Sequence, residues 1–218
     1  MARIKYYDSV AQEWAYADMA VAMPPSRLPA GYQEVEYIES DGTQYIDTGV
    51  NSYRTALGLD LQFTDSTFGS NGSADSDVIQ ITGNSADNPY LGFRNEGNTW
   101  ESTITCTDRN LVVFDAYKGT IYHNGNLIHT MTGASNSGSA TLYLFARYST
   151  QWGNSYCKEK LYGAKVFSYL GTTIDKCLVR HYIPCYRIAD DEIGMYDIVN
   201  DVFYTNDGTG TFTKGADV

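Results

Sequence analysis

Residues 55–64 read TALGLDLQFT, with Leu57, Leu59, Leu61 and Phe63 at every second position and Gly58, Asp60 and Gln62 between them. A period of two puts all four apolar side chains on one side of an extended chain, whereas a helix would scatter them around its axis. The run therefore predicts a half-buried antiparallel strand. Such a strand needs partners along its edges and a second layer over its apolar face, so the chain must build packed sheets.

Other stretches agree. In TIYHNGNLIHT two extended runs, centred on residues 120–123 and 127–130, flank Asn124-Gly125. Asn-Gly suits a type I′ turn, whose two central residues need positive φ, so this is a hairpin. Asp41-Gly42 gives a second turn signal, after YQEVEYIE and before TQYIDTGV. In the first of these, Val35 and Tyr37 are expected on one face and Glu34, Glu36 and Ile38 on the other. Further strands are expected at DVIQITG, YLGFRN, SATLYLFARYS, KLYGAKVFSYL, CLVRHYIPCYR, IGMYDIV and DVFYTN. The last two meet at a tight turn, Asn200-Asp201, and Gly208 and Gly210 are expected to supply positive φ in the turn beyond. Their apolar residues, Ile193, Met195, Tyr196, Ile198, Val199, Val202 and Phe203, are expected to seal an edge of the sandwich. No amphipathic helix and no repeat of solenoid or propeller period is visible. The reading is all-β: one two-sheet antiparallel sandwich, for which 218 residues suffice.

The first 30 residues read differently. They hold Tyr6, Tyr7, Trp14 and Tyr16, and MPPSRLPAGY (23–32) carries three of the five prolines. Proline removes backbone donors and favours extended chain, so residues 1–30 are expected to form an arm and linker, and residues 31–218 the sandwich. An arm this short cannot bury a core of its own, so its four aromatic residues are expected to anchor on another subunit.

Charge and composition narrow the partners. The net charge of −11 disfavours phosphate backbones and anionic membranes, because binding there needs Lys and Arg contacts. No apolar run is long enough to span a bilayer, and residues 1–16 lack the apolar core of a secretory signal. Cys106, Cys157, Cys177 and Cys185 have no CxxC spacing, so reduced thiols are expected rather than a zinc site.

Three stretches carry a resemblance. LPAGYQEVEYIESDGTQYIDTGV, LYLFARYSTQWGNSYCKEKLYGAKVFSY and LVRHYIPCYRIADDEIGMYDIVNDVFYTNDGTGTFTKG together span residues 28–215. They resemble the concanavalin A-like, laminin-G-like jelly-roll domains found in bacteriophage and gut-bacterial surface proteins. IKYYDSVAQEWAYAD resembles, more weakly, the N-terminal segments that attach phage virion proteins to their particle. The resemblance implies a jelly-roll topology, a place in the virion after assembly in the host cytoplasm, and Tyr6, Tyr7, Trp14 and Tyr16 as attachment residues. It also implies a homo-oligomer that contacts other virion subunits through the arm. Laminin-G-like domains often hold calcium at the rim. DSTFGSNGSADSD (65–77) offers Asp65, Asn71, Asp75 and Asp77 for it, although without EF-hand order, so a polar loop is the simpler reading. No other cofactor is expected.

No catalytic constellation is visible. Glu34, Glu36 and Asp41 could form a carboxylate pair of the kind glycosidases use, but solvated charges at a sheet edge explain them more simply. His123, His129 and His181 lie near no nucleophile motif. Sugar binding is better served, since lectin sites combine a stacking aromatic with amides and acids. ARYSTQWGNSY gives Arg147, Tyr148, Gln151, Trp152 and Asn154 in one expected loop, and RNEGNTWEST gives Arg94, Asn95, Asn98 and Trp100 in another. The bland alternative is that each Trp covers the end of the core. The expectation is a non-enzymatic virion structural protein (capsid decoration, head fibre, tail or baseplate) that displays a lectin-like domain for adhesion to glycans. A bacterial surface adhesin and a glycoside hydrolase are the alternatives.

Overall fold

A computed structural model describes residues 3–8, 13–18, 28–64, 69–73, 79–84, 90–95, 98–132, 140–149, 155–169 and 176–218. The described residues form 21 strands and no helix. In chain order they begin with β1 (Arg3–Asp8), β2 (Glu13–Asp18), β3 (Tyr32–Glu34), β4 (Ile38–Asp41), β5 (Ile46–Asn51), β6 (Thr55–Phe63) and β7 (Gly69–Ser73). Next come β8 (Ile79–Asn84), β9 (Tyr90–Asn95), β10 (Asn98–Thr105), β11 (Asn110–Asp115), β12 (Thr120–His123), β13 (Asn126–Thr130) and β14 (Thr141–Leu144). The last are β15 (Ala146–Tyr148), β16 (Ser155–Tyr156), β17 (Lys158–Tyr169), β18 (Lys176–Arg187), β19 (Glu192–Asp197), β20 (Val202–Tyr204) and β21 (Thr213–Lys214).

Two sheets, antiparallel but for two contacts, pack into a β-sandwich. The larger runs β13-β12-β11-β6-β17-β18-β1-β2, with β3, β4, β19, β20 and β21 attached beside β17 and β18. The smaller runs β10-β9-β8-β7-β14-β5, with β15 and β16 beside β7. The parallel contacts are β1 with β18 and β15 with β7.

The alternating run of β6 does what its pattern demands. Leu57, Leu59, Leu61 and Phe63 are all at most 1% exposed. They meet Val112 and Phe114 of β11, Leu161 and Val166 of β17, and Ile46, Ile81, Leu91, Phe93, Leu142 and Leu144 of the smaller sheet in one core cluster. Each such side chain contributes about 1.5–3 kcal/mol by leaving water. Packing is close enough to dictate a glycine: a Cβ on Gly83 of β8 would lie 2.8 Å from the Phe63 ring. At the hairpin, Asn124 and Gly125 have φ of 48° and 80°, as a type I′ turn requires.

Three expectations need correction. Residues 34–39 are not one alternating strand, because Val35 and Ile38 are both buried. The chain pairs first with β18 through β3 and then with β17 through β4, and the change of partner turns the alternation over. In the closing segment Met195 and Tyr196 are buried, but Val199 and Val202 are 36% and 42% exposed and seal nothing. Asp201 takes the left-handed conformation at the β19–β20 turn, and Gly210 does so in the next turn, but Gly208 does not. Glycine is needed at 208 for another reason: a Cβ there would sit 2.3 Å from the Thr43 carbonyl oxygen.

The four cysteines are free, with Cys106, Cys157 and Cys185 buried. Near the N-terminus, β1 and β2 form a hairpin of six paired residues, from Arg3↔Asp18 to Asp8↔Glu13. It joins β18 through a single registered pair, Lys5↔Cys177.

Candidate functional site

Four tyrosines gather on the smaller sheet. Tyr45 and Asp47 flank the buried Ile46 by alternation, and Asp47 pairs with Tyr143 of β14. That register stacks Tyr45 on Tyr143, with ring centroids 4.7 Å apart and planes at 23°. Tyr148 meets Tyr143 edge-on at 5.3 Å, and Tyr156 approaches Tyr45 at 6.0 Å. Tyr156 is 38% exposed, a large aromatic face offered to solvent.

Beside this cluster opens a cleft of about 320 Å³, lined by Gly42, Thr43, Tyr45, Tyr156, Asp207, Gly208 and Thr209. Its two walls come from distant parts of the chain and are stitched together. Asp207 N donates to Tyr45 O at 2.9 Å and Thr209 N to Thr43 O at 3.1 Å. Asp47 N donates to Asp207 Oδ2 at 2.9 Å, and Tyr45 N to Asn206 Oδ1 at 3.1 Å. The same Asn206 oxygen accepts from Gly208 N at 2.8 Å. Behind the wall, Gln44 is 1% exposed and reaches Thr211 O through Nε2 at 3.1 Å. The cleft is thus held by main-chain and buried amide bonds and is formed before any ligand arrives.

Its electrostatics define what it can hold. Burial, and then the Asp47 carboxylate, push the Tyr143 phenol up to about 12. Burial, followed by Asp207, raises that of Tyr45. Both phenols stay protonated and can donate hydrogen bonds. One oxygen of Asp47 accepts from Gly49 N and one of Asp207 from Asp47 N. Among the described residues neither carboxylate spends its second oxygen. Neutral rings, phenol donors and carboxylate acceptors in a concave site match a polyhydroxylated ligand with an apolar ring face.

The residues expected from sequence divide. Tyr148 belongs to the tyrosine cluster. Arg147 lies on β15 opposite Gly72 and Ser155, and Gln151, Trp152 and Asn154 lie outside the described residues. Asn98 and Trp100 are strand residues, in the hairpin of β9 and β10 rather than a loop. Trp100 stacks on Phe93 at 5.7 Å and on His129 at 4.4 Å with planes 3° apart, so it packs on the rim of the core. Of the candidate calcium ligands, Asn71 is committed elsewhere: it is fully buried, donates to Glu159 Oε2 at 2.9 Å and accepts from Phe145 N at 2.7 Å. Asp65, Asp75 and Asp77 lie outside the described residues, and among those described no three His, Cys, Asp or Glu side chains form a metal-sized group. For Tyr6, Tyr7, Trp14 and Tyr16 the described feature is the backbone hairpin, which pairs Tyr7 with Trp14.

Sequence reading missed Tyr45, Asp47, Tyr143, Tyr156 and Asp207. A signal existed for the first two, since TQYIDTGV places Tyr45 and Asp47 on one face with Ile46 on the other. No family model, curated protein or solved structure matches the chain.

Proposed function

We propose that this chain is a non-enzymatic virion structural protein of a bacteriophage that displays a glycan-binding, lectin-like domain. In this reading the sandwich is a jelly roll of the concanavalin A-like type, and residues 1–30 are the arm that attaches it to neighbouring subunits. One observation carries the binding half: the preformed cleft in which the exposed Tyr156 ring stands beside Tyr45, Asp207 and Thr43. An exposed tyrosine offers a sugar ring a flat apolar face, and the carboxylate offers its hydroxyls an acceptor. The virion half rests on the resemblance of the three long sequence stretches and of the N-terminal segment. It is supported by the hairpin of β1 and β2, bound far more extensively to itself than to β18. Many weak copies on one particle would still adhere, because each contact raises the effective concentration for the next.

A glycan array probed with the full chain tests the binding half. The expected result is binding to a defined sugar class that Tyr156→Ala reduces at least tenfold, about 1.4 kcal/mol. Because Tyr156 is partly exposed, its loss should leave the melting temperature within about 2 °C of the parent, as for an ordinary surface change. A blank array, or binding unchanged by Tyr156→Ala, refutes the assignment of this cleft.

A further inference from the structure

The charge around the tyrosine cleft narrows which sugar it can take. Elsewhere in the chain Asp60 meets Arg109 at 2.8 Å, Asp115 meets Lys176 at 2.8 Å and Asp197 meets Arg180 at 3.5 Å. Asp47 and Asp207 have no Arg or Lys partner among the described residues. Their hydrogen bonds come from main-chain amides, Gly49 N to Asp47 Oδ1 and Asp47 N to Asp207 Oδ2, both at 2.9 Å. The second bond seats the Asp207 carboxylate against the Asp47 main chain, and Asp207 lines the cleft itself. Asp41 adds a third carboxylate at the rim, where its Oδ1 accepts from Oγ1 of the lining Thr43 at 2.7 Å. Lys158 is registered opposite Asp41 and its stem passes Gly42 of the rim. It offsets one charge and leaves two.

Aromatic rings add to the same sign of field. Tyr45 and Tyr156 both border the cleft, with centroids 6.0 Å apart and planes at 53°, so they open as a V rather than stacking shut. Tyr143 backs Tyr45 at 4.7 Å. A ring face is the negative part of its quadrupole and draws a cation that comes within about 6 Å of its centroid. Two uncompensated carboxylates and two ring faces thus act on one concavity, whose walls concentrate the field. An acidic sugar is repelled there, and a neutral one gains nothing from it. The volume of about 320 Å³ lies at the small end of ligand pockets, about 300–1,000 Å³, and suits one sugar residue rather than a long chain segment.

We infer that the cleft selects an amino sugar with a free, protonated amine over its N-acetylated and neutral counterparts. The ammonium donates to the unspent oxygen of Asp207 and is drawn by the faces of Tyr45 and Tyr156, while the apolar face of the sugar ring rests on Tyr156. N-acetylation removes the charge and two of the three donors. This deepens the glycan-binding reading and rests on it.

Chemical-shift titration of the full chain tests this with the methyl glycosides of glucosamine, galactosamine and mannosamine, each beside its N-acetyl form and its parent hexose, below neutral pH where the amines are charged. The expected result is at least tenfold tighter binding of one free amino sugar than of its N-acetyl form, weakening as salt is raised. Asp207→Asn, which keeps an oxygen for Asp47 N, should bring that ratio to about twofold or less while the parent hexose binds as before. In the unaltered protein the Tyr156 ring resonances should move on adding the amine. Equal binding of amine and N-acetyl forms, or tighter binding of the N-acetyl or neutral form, overturns the amine selection and leaves the cleft standing as a glycan site. A tenfold preference that survives in Asp207→Asn, or Tyr156 resonances that stay still while the amine binds, also overturns it. Binding by none of these sugars overturns the inference, and only a glycan array that is blank as well takes the cleft with it.

Discussion

Replacing Glu159 by glutamine should stabilise the protein at neutral pH. Glu159 lies on β17 with no exposure at all, its side chain turned between the sheets. One carboxyl oxygen accepts from Asn71 Nδ2 at 2.9 Å, and among the described residues Oε1 has no partner. Burial raises the group from its ordinary 4.5 to about 8, against the smaller opposing effect of the Asn71 hydrogen bond. Between those values the folded chain holds a proton that the unfolded chain has released. Stability is therefore fully present below about pH 4.5 and is lost as pH rises towards 8. At about 1.4 kcal/mol per pH unit, the loss from pH 5 to 7 is about 3 kcal/mol. Glutamine resembles the protonated acid, keeps an oxygen for Asn71 and does not titrate. Thermal unfolding of parent and Glu159→Gln across pH 5–8 cancels every other titrating group in the difference. The variant's advantage should grow by about 3 kcal/mol between pH 5 and 7, or about 6–12 °C for a chain of this size. A difference that stays flat with pH, or that shrinks as pH rises, would falsify the picture of an acid held neutral by burial.

Four other changes probe the rest of the frame. Gly208→Ala should push the 206–210 turn off Thr43, cost about 1–3 kcal/mol in denaturant unfolding and abolish cleft binding. Gly49→Ala, with nothing within 4 Å but φ of +64°, should cost only the strain of a left-handed alanine, about 1–2 kcal/mol. Asp115 is 2% exposed and accepts from Tyr169 Oη, from Lys176 Nζ at 2.8 Å and from Lys118 N at 3.1 Å. Asp115→Ala strands a largely buried lysine and should cost about 3–5 kcal/mol in the same assay. Deleting residues 1–27 should leave the unfolding transition of the sandwich in place and, on the proposed virion reading, remove the chain from purified particles. Loss of the transition would contradict the division into arm and body.

What was legible in the sequence was local. The alternation of β6 and the Asn124-Gly125 turn depend on residues within ten positions of one another, and both stand as read. Glu159 was not legible. In KEKLYG it stands between two lysines, which makes it look like a solvated charge although it shares the face of Leu161, and its buried partner is Asn71, 88 positions earlier. The break at residues 36–37 was hidden for a related reason: alternation assumes one set of neighbours, and β3 and β4 pair with different strands. The two tryptophan-bearing stretches attracted attention because Trp is conspicuous, yet Trp100 needed His129 from another strand to show its place on the core rim. The tyrosines that make the cleft are individually ordinary in a chain with 19 of them. Only the fold sorts the four that converge from the rest.

The stitching of the cleft also bears on the order in which the molecule comes into being. Asp207 is 160 positions from Asp47, whose amide it receives. A chain made from its N-terminus completes β1–β20 before the residues that close this wall exist. The wall is therefore a property of finished molecules: a copy that ends before Asp207 can carry most of the strands and still lack the contacts that close the cleft.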